Sequence, residues 1–369
     1  MNQDAITAMF AKRSAAFASR DVDTLVADYI DDCVVDTPTF GPIRGRSELE
    51  RAERRTFAAF PDIAVEQEEL VMTGNRVVLT ATVSATDVDG RVTSAGAHLR
   101  VPMVVVYTLD GPRIARERRV WDFSGILLKR VQKDLKTAAE VQQFLLPAGR
   151  FTGEGFEIAA ASVPCRDLGG DFFDYFMLPD GGFAFSLGDV AGKGPPASLL
   201  SASIQAVLAA HGQSGGAAAT LANANRAMLR RPVPARFATA VYGVLSRDGR
   251  LTYSNAGHNP PLLVGRSGVR WLERGGTVLG VLDAAVFDEE TLQLEAGDLL
   301  VAFSDGITEA QSPDGAEFGE DRLRACVEAN RRLAPEAIVD AVLHAVQRFA
   351  GGARQGDDLT VLALSYRGT

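Results

Sequence analysis

Phe183-Ala184-Phe185-Ser186-Leu187-Gly188-Asp189-Val190-Ala191-Gly192-Lys193-Gly194 reads as an apolar strand that runs into an aspartate and then a glycine-rich turn. Pro195-Pro196 follows and opens a helical stretch, which suits proline in a first turn. The turn is superficially like a phosphate-cradling P-loop. It fails that test, because only three residues separate Gly188 from Gly192 and Gly194 stands where Ser or Thr is needed. A helix N-terminus favours anions, so the turn is still suited to face a phosphate. The same design, an aspartate in a glycine-marked turn beside an apolar run, recurs along the C-terminal half. It is seen at Asp171 in Gly169-Gly170-Asp171-Phe172-Phe173-Asp174, at Asp305 in Ser304-Asp305-Gly306, and at the pair Asp357-Asp358 in Gly356-Asp357-Asp358-Leu359-Thr360. Singly, each is an ordinary turn. Together, carboxylates held at strand ends are the usual material of a site for hard divalent cations.

Around these turns, residues 150–369 alternate many short strand-like runs with few helices. The strands are expected at Phe156–Ser162, Phe183–Gly188, Ala238–Leu245, Leu251–Asn255, Pro261–Val264, Leu292–Leu294, Leu299–Ser304 and Leu359–Ser365. Helical spacing marks Ala197–Ala210, Ala217–Leu229, Glu320–Glu328 and Pro335–Phe349. This pattern predicts an α+β domain of packed sheets, not a doubly wound parallel sheet. Residues 1–125 form a second α+β unit. Helices are expected at Ala5–Phe17, at Asp23–Ile30 with Asp23 as cap, and at Arg46–Phe60, stopped by Pro61. Strands follow at Ala64–Glu69, Arg76–Thr86, Leu99–Leu109 and Arg113–Trp121, which predicts helices on one face of a curved antiparallel meander. Between the two lies a linker, residues 126–149. Leu128, Val131, Leu135, Ala138, Gln142 and Leu145 repeat at heptad spacing before Pro147 ends the run. That seam predicts a coiled-coil linker helix, with the polar Gln142 fixing register; a linker lying on one domain is the alternative.

Composition excludes several classes. With 369 residues, roughly two domains are expected. A net charge of −9 argues against nucleic acid and anionic membranes as partners. No apolar run reaches the roughly 18–20 residues needed to span a bilayer. Met1-Asn2-Gln3-Asp4 carries no basic segment before an apolar stretch, so no secretory leader is expected. The odd, scattered cysteines Cys33, Cys165 and Cys326 fit a reducing, cytoplasmic location. The four histidines form no close pair, so zinc is not indicated.

Taken in order, the motifs acquire specificity. Leu145-Leu146-Pro147, the Gly169–Asp174 and Gly188–Gly194 turns, Asn255-Ala256-Gly257-His258-Asn259-Pro260-Pro261, Ser304-Asp305-Gly306 and Asp357-Asp358-Leu359-Thr360 resemble the metal-dependent protein phosphatase (PPM) family in its RsbU/SpoIIE-like branch. The resemblance implies an αββα sandwich of antiparallel sheets. It also implies hydrolysis of phosphoserine or phosphothreonine with two Mn²⁺ or Mg²⁺ ions. By position, Asp189 would bridge the ions, the Val190 carbonyl would complete one shell, and Asp171, Asp305 and Asp357 would supply the other carboxylates. Asp357 is preferred to Asp358 because the family's ligand is the first of that pair. Arg166, five residues before Asp171, lies near the place of a family phosphate-binding arginine, with its register left open, and His258 reads as a turn residue in preference to a general acid.

The N-terminal unit resembles the SnoaL-like branch of the nuclear-transport-factor-two-like fold, on its three helices, long strands, His98, Arg100 and the run Arg118-Arg119-Val120-Trp121-Asp122. Tyr29, His98 and Asp122 would line its pocket, and sensing or dimerisation is favoured over isomerase or cyclase activity. The joint expectation is a cytoplasmic regulatory phosphatase. It would be a homodimer through the N-terminal domain and linker helix, with a small-molecule ligand of the N-terminal domain as a further partner. Its substrate would be a phosphoprotein of partner switching, an anti-sigma-factor antagonist. The rival is a pseudophosphatase that sequesters a phosphoprotein.

Overall fold

The computed structural model describes residues 3–38, 41–88, 90, 95–212, 215–230, 232–234, 236–266 and 268–368. The chain divides into two compact units, Met1–Lys133 and Asp134–Thr369, so the long helix Ser124–Leu145 contributes to both. Among the described residues, no helix is long and apolar enough to cross a membrane.

In the N-terminal unit, helices Gln3–Ala18, Val22–Ala27 and Arg46–Ala59 accompany a six-stranded sheet. The expected meander is present as Ala64–Thr73, Arg76–Asp87, Ala97–Asp110 and Arg113–Trp121, each antiparallel to the next. Two strands were not expected. The second helix stops at Ala27, and Tyr29–Thr37 leaves it as a strand parallel to Arg113–Trp121, then pairs with Gly41–Arg44. The sheet is therefore mixed. The physical reason lies in burial: Tyr29, Cys33 and Val35 are core residues separated by even numbers of positions, so a strand presents all three on one face. The cap of that helix is Asp21, not Asp23, since Asp21 accepts the backbone N–H of Thr24 at 3.0 Å.

The C-terminal unit has two stacked sheets. One has Phe172–Met177, Phe183–Val190, Ala238–Leu245 and Arg250–Ala256 as neighbours; the other has Leu262–Gly265, Leu299–Phe303, Leu359–Tyr366 and Phe156–Val163. Alternation along the strands separates three cores. Phe183, Phe185 and Leu187 join Leu300, Leu362 and Leu364 between the sheets. On the outer faces, Ala184, Val190 and Ala240 meet helices Pro195–Gly212 and Ala217–Arg230, while Val301, Val361 and Ala363 meet Gly319–Asn330 and Pro335–Ala350. Strands buried on both faces read as continuous apolar runs. That explains why Phe172–Met177 was not anticipated as a strand: Phe172 belongs to one core and Phe173 to the other. The αββα sandwich and the helical cover agree with the expected fold class.

Close packing constrains Gly188 in a central strand. A Cβ there would lie 2.5 Å from both the Phe172 ring and the Thr239 carbonyl oxygen. Gly188→Ala is expected to destabilise the C-terminal unit by about 1–3 kcal/mol. Urea unfolding followed by Trp271 fluorescence, in a Trp121→Phe background, measures this; an unchanged midpoint contradicts it.

Candidate metal centre

The strand register assembles the site. Phe183–Val190 pairs with Phe172–Met177 through Gly188↔Phe172, so one step further along this antiparallel pair Asp189 faces Asp171. The two carboxyls are close enough for the Asp189 charge to act on Asp171. Asp305 begins a one-turn helix, Asp305–Thr308, where a plain turn was expected, at the end of strand Leu299–Phe303 of the other sheet. Asp357 sits just before Leu359–Tyr366 in that same sheet. Stacking the sheets thus brings together carboxylates from four separate turns.

Their electrostatics show how close they are. Burial, then the Asp189 charge, drives the Asp171 carboxyl far above the ordinary carboxylate range. Asp189 is pushed up to about 7 by burial and then by Asp305 and Asp357. Asp305 is raised by burial and by Asp357. One cation faces this group among the described residues: Lys193 Nζ lies 2.9 Å from Asp357 and also donates to the Gly356 carbonyl. Like charges so placed need a further cation before all can ionise, and an all-oxygen donor set suits hard ions such as Mg²⁺ or Mn²⁺. Gly170 approaches the same side closely. A Cβ on Gly170 would lie 2.7 Å from the Val190 carbonyl oxygen and 3.0 Å from Asp189 Oδ1.

Asp357 and Asp358 separate by what they touch. Asp358 is 4% exposed; its Oδ1 accepts from Cys165 N at 2.7 Å and its Oδ2 from Gly170 N at 2.7 Å. It is an internal anchor for the Gly169–Asp171 loop. Asp357 is partly exposed; its carboxylate meets Lys193 and the N–H of Asp358, and its backbone carbonyl accepts from Gln355 Nε2. Cys165, Asp357 and Asp358 also form a compact ligand-type cluster. We favour the aspartate set over that triplet: the Cys165 thiol is raised to about 11 by burial and Asp358, and Asp358 is already committed to backbone donors.

Several supports take their roles from tertiary contacts. Thr360 Oγ1 donates to Asp171 Oδ2 at 2.6 Å. Arg236 donates to the Ala191 carbonyl beside Asp189. Gln142, expected at a seam position of the linker helix, clamps the Gly169–Asp171 loop: its Nε2 donates to the Gly169 carbonyl at 2.9 Å and its Oε1 accepts from Gly169 N at 3.2 Å. His258 is structural. Its Nδ1 lies 2.8 Å from Thr239 Oγ1 and its Nε2 3.1 Å from the Phe303 carbonyl, and burial lowers it to about 4. Asp174 accepts from Tyr175 N at 2.8 Å, away from the carboxylate group. Arg166 is exposed. In the N-terminal unit, Tyr29 does line a cavity. His98 is exposed, and Asp122 is spent on capping Ser124 at the start of the linker helix, so neither belongs to it.

Residues 179–367 match the family model for Stage II sporulation protein E (SpoIIE). The chain belongs to the SpoIIE family. Residues 7–117 match the SnoaL-like domain, so a SpoIIE-family unit here follows a SnoaL-like one. The phosphoserine phosphatase RsbU of Bacillus subtilis is 31% identical over 189 residues, covering 50% of this chain and 56% of that protein. Protein IcfG of Synechocystis is 28% identical over 264 residues, covering 63% of this chain and 41% of that protein. The chain spans about half the length of these curated relatives. The SiaA-PP2C domain of Pseudomonas aeruginosa superposes with a TM-score of 0.58 at 22% identity, over 67% of this chain and all of that domain, which establishes a shared fold.

The two SpoIIE-family aspartates at 357 and 358 should respond differently to truncation. Asp358→Ala leaves buried N–H groups unpaired and should cost about 3 kcal/mol in metal-free denaturation. Asp357→Ala removes one partly exposed ion pair and should change stability by less than about 1 kcal/mol. Equal effects would contradict the anchoring role of Asp358.

Proposed function

We propose that this chain is a metal-dependent phosphoserine/phosphothreonine protein phosphatase, its C-terminal unit doing the chemistry under control of the N-terminal unit. The observation that carries this reading is the facing set Asp171, Asp189, Asp305 and Asp357, the first three raised by burial and by neighbouring acids, with Lys193 as its near cation. Asp189, central to the group, would lie between two Mn²⁺ or Mg²⁺ ions. Asp171, Asp305 and Asp357 would help to hold them, and the Val190 carbonyl, which Gly170 approaches closely, would join the set. When bound, such ions activate water and neutralise charge on the phosphoryl oxygens. The protein's own part is positional. Thr360 fixes the Asp171 carboxylate, Asp358 holds the loop that carries it, and Lys193 tethers Asp357. The phosphoryl group passes from the serine or threonine oxygen to water. The similarity to RsbU of Bacillus subtilis, a phosphoserine phosphatase, supports this substrate class. Within it, an anti-sigma-factor antagonist is the proposed substrate, by the resemblance to the RsbU/SpoIIE-like branch.

Control is proposed to run through the linker helix. Helix Ser124–Leu145 buries none of its residues, and Val141, Phe144 and Leu145 are exposed, which supports pairing with a second copy. Its Gln142 holds Gly169, two residues from Asp171, so displacement of the helix end would reach the site directly.

Asp189→Asn should lower manganese-dependent hydrolysis of a phosphoserine protein at least a thousandfold while leaving the fold intact by circular dichroism; undiminished turnover would sink the assignment. Calorimetric titration with Mn²⁺ separates this reading from a sequestering pseudophosphatase, which would bind phosphoprotein without binding metal. Gln142→Ala should change turnover several-fold at unchanged unfolding midpoint, and an unchanged rate would remove the linker from control.

A further inference from the structure

Lys193 stands half-buried beside the carboxylate group, in the turn that leads into helix Pro195–Gly212. Its neighbours Gly192 and Gly194 both take positive φ, at 102° and 77°, which lets the backbone double back towards Asp357. An ammonium carries three N–H donors. One meets Asp357 Oδ2 at 2.9 Å and another the Gly356 carbonyl. The third has no partner among the described residues. The side chain is 30% exposed, so this donor is open to an incoming group. The Lys193 charge also reaches Asp305, in another turn of the same set.

Tethering Asp357 does not by itself account for this arrangement. The Asp357 carboxylate already accepts the N–H of Asp358 at 2.9 Å, and a part-exposed ion pair adds little stability. The two anchors instead hold the ammonium in one place, and a donor fixed in advance needs no reorganisation when its acceptor arrives. A phosphoryl group spreads its charge over three non-bridging oxygens, each of which wants a cation or a donor. The helix start next to Lys193 offers few backbone donors. Pro195 and Pro196 have no N–H, and Ser198 N is taken by the Gly194 carbonyl. Arg236 gives a donor to the Ala191 carbonyl, and Arg166 is exposed. Lys193 is the cation that the structure fixes among the carboxylates.

We propose that Lys193 binds the phosphoryl group of the substrate, its third N–H donating to a phosphoryl oxygen while the other two hold Asp357 and Gly356. The inference rests on the phosphatase reading and names the residue that recognises the phosphate. Inorganic phosphate, titrated calorimetrically into the full chain in saturating Mg²⁺, tests it without turnover. Lys193→Met should weaken phosphate about tenfold or more, as expected for a lost charged hydrogen bond. Lys193→Arg keeps the charge and should stay within about threefold of the unsubstituted chain, which also guards against misfolding. Arg166→Met should leave phosphate affinity unchanged. In hydrolysis of a phosphoserine protein, Lys193→Met should raise KM by about the same factor while kcat falls less. A residue that only tethers Asp357 would weaken Mg²⁺ and leave phosphate affinity at saturating Mg²⁺ untouched. That result, an equal loss in Lys193→Met and Lys193→Arg, a loss in Arg166→Met alone, or no phosphate binding at all overturns the proposal. A chain that hydrolyses phosphoserine while Lys193→Met keeps its phosphate affinity overturns this inference alone. A chain that binds phosphate through Lys193 and hydrolyses nothing overturns the phosphatase reading alone.

Discussion

The carboxylate of Asp358 is the interaction on which the site depends. It ties the entrance of strand Leu359–Tyr366, in one sheet, to the backbone of Cys165 and Gly170 in the chain leading to the other sheet. Two buried N–H groups and one buried charge satisfy each other there, and any one left alone would be expensive. The consequence is a fixed approach of the Gly169–Asp171 loop to the Asp305 and Asp357 turns. Gly306 shows how tight that approach is, since a Cβ on it would lie 2.1 Å from the Asp358 carbonyl oxygen.

Around this anchor the structure tolerates a conflict that packing alone would remove. Asp171 is buried and Asp189 half-buried; the Asp189 charge pushes Asp171 up, and Asp305 and Asp357 push Asp189 up. Strained electrostatics of this kind concentrate at functional sites. Hydroxyls and backbone groups, not cations, hold most of the carboxylates: Thr360 serves Asp171, and His258, neutral and doubly hydrogen-bonded, braces Thr239 beside Asp189 against the end of strand Leu299–Phe303. The negative field therefore stays available to a divalent ion.

The two units are built on opposite electrostatic principles. In the C-terminal site like charges face one another, whereas in the N-terminal cavity Arg119 lies between Glu53 and Glu117, and Arg13 beside Asp28. One arrangement calls for a cation; the other is self-neutralised. The linker helix meets the first of these through Gln142, whose side-chain amide makes the paired contacts to Gly169 that a strand neighbour would make.

Local sequence was enough for the apolar runs, the helix-opening prolines and the glycine-marked aspartate turns, because period and turn chemistry are short-range properties. The layered α+β class and the family followed from their order along the chain. Short-range pattern was silent where residues serve two masters. Phe172–Met177 lacked alternation because both its faces are buried, and Tyr29–Thr37 followed a helix so closely that the helix seemed to continue into it. Only tertiary structure could divide labour between Asp357 and Asp358, adjacent and chemically identical, since the difference lies in donors supplied by Cys165 and Gly170, nearly two hundred positions away. The same holds for Gln142, Arg236 and the Arg119–Glu53 ion pair. Sequence fixes which groups exist and their local geometry. Which of them share a site is decided by how the sheets stack, and no local pattern encodes that.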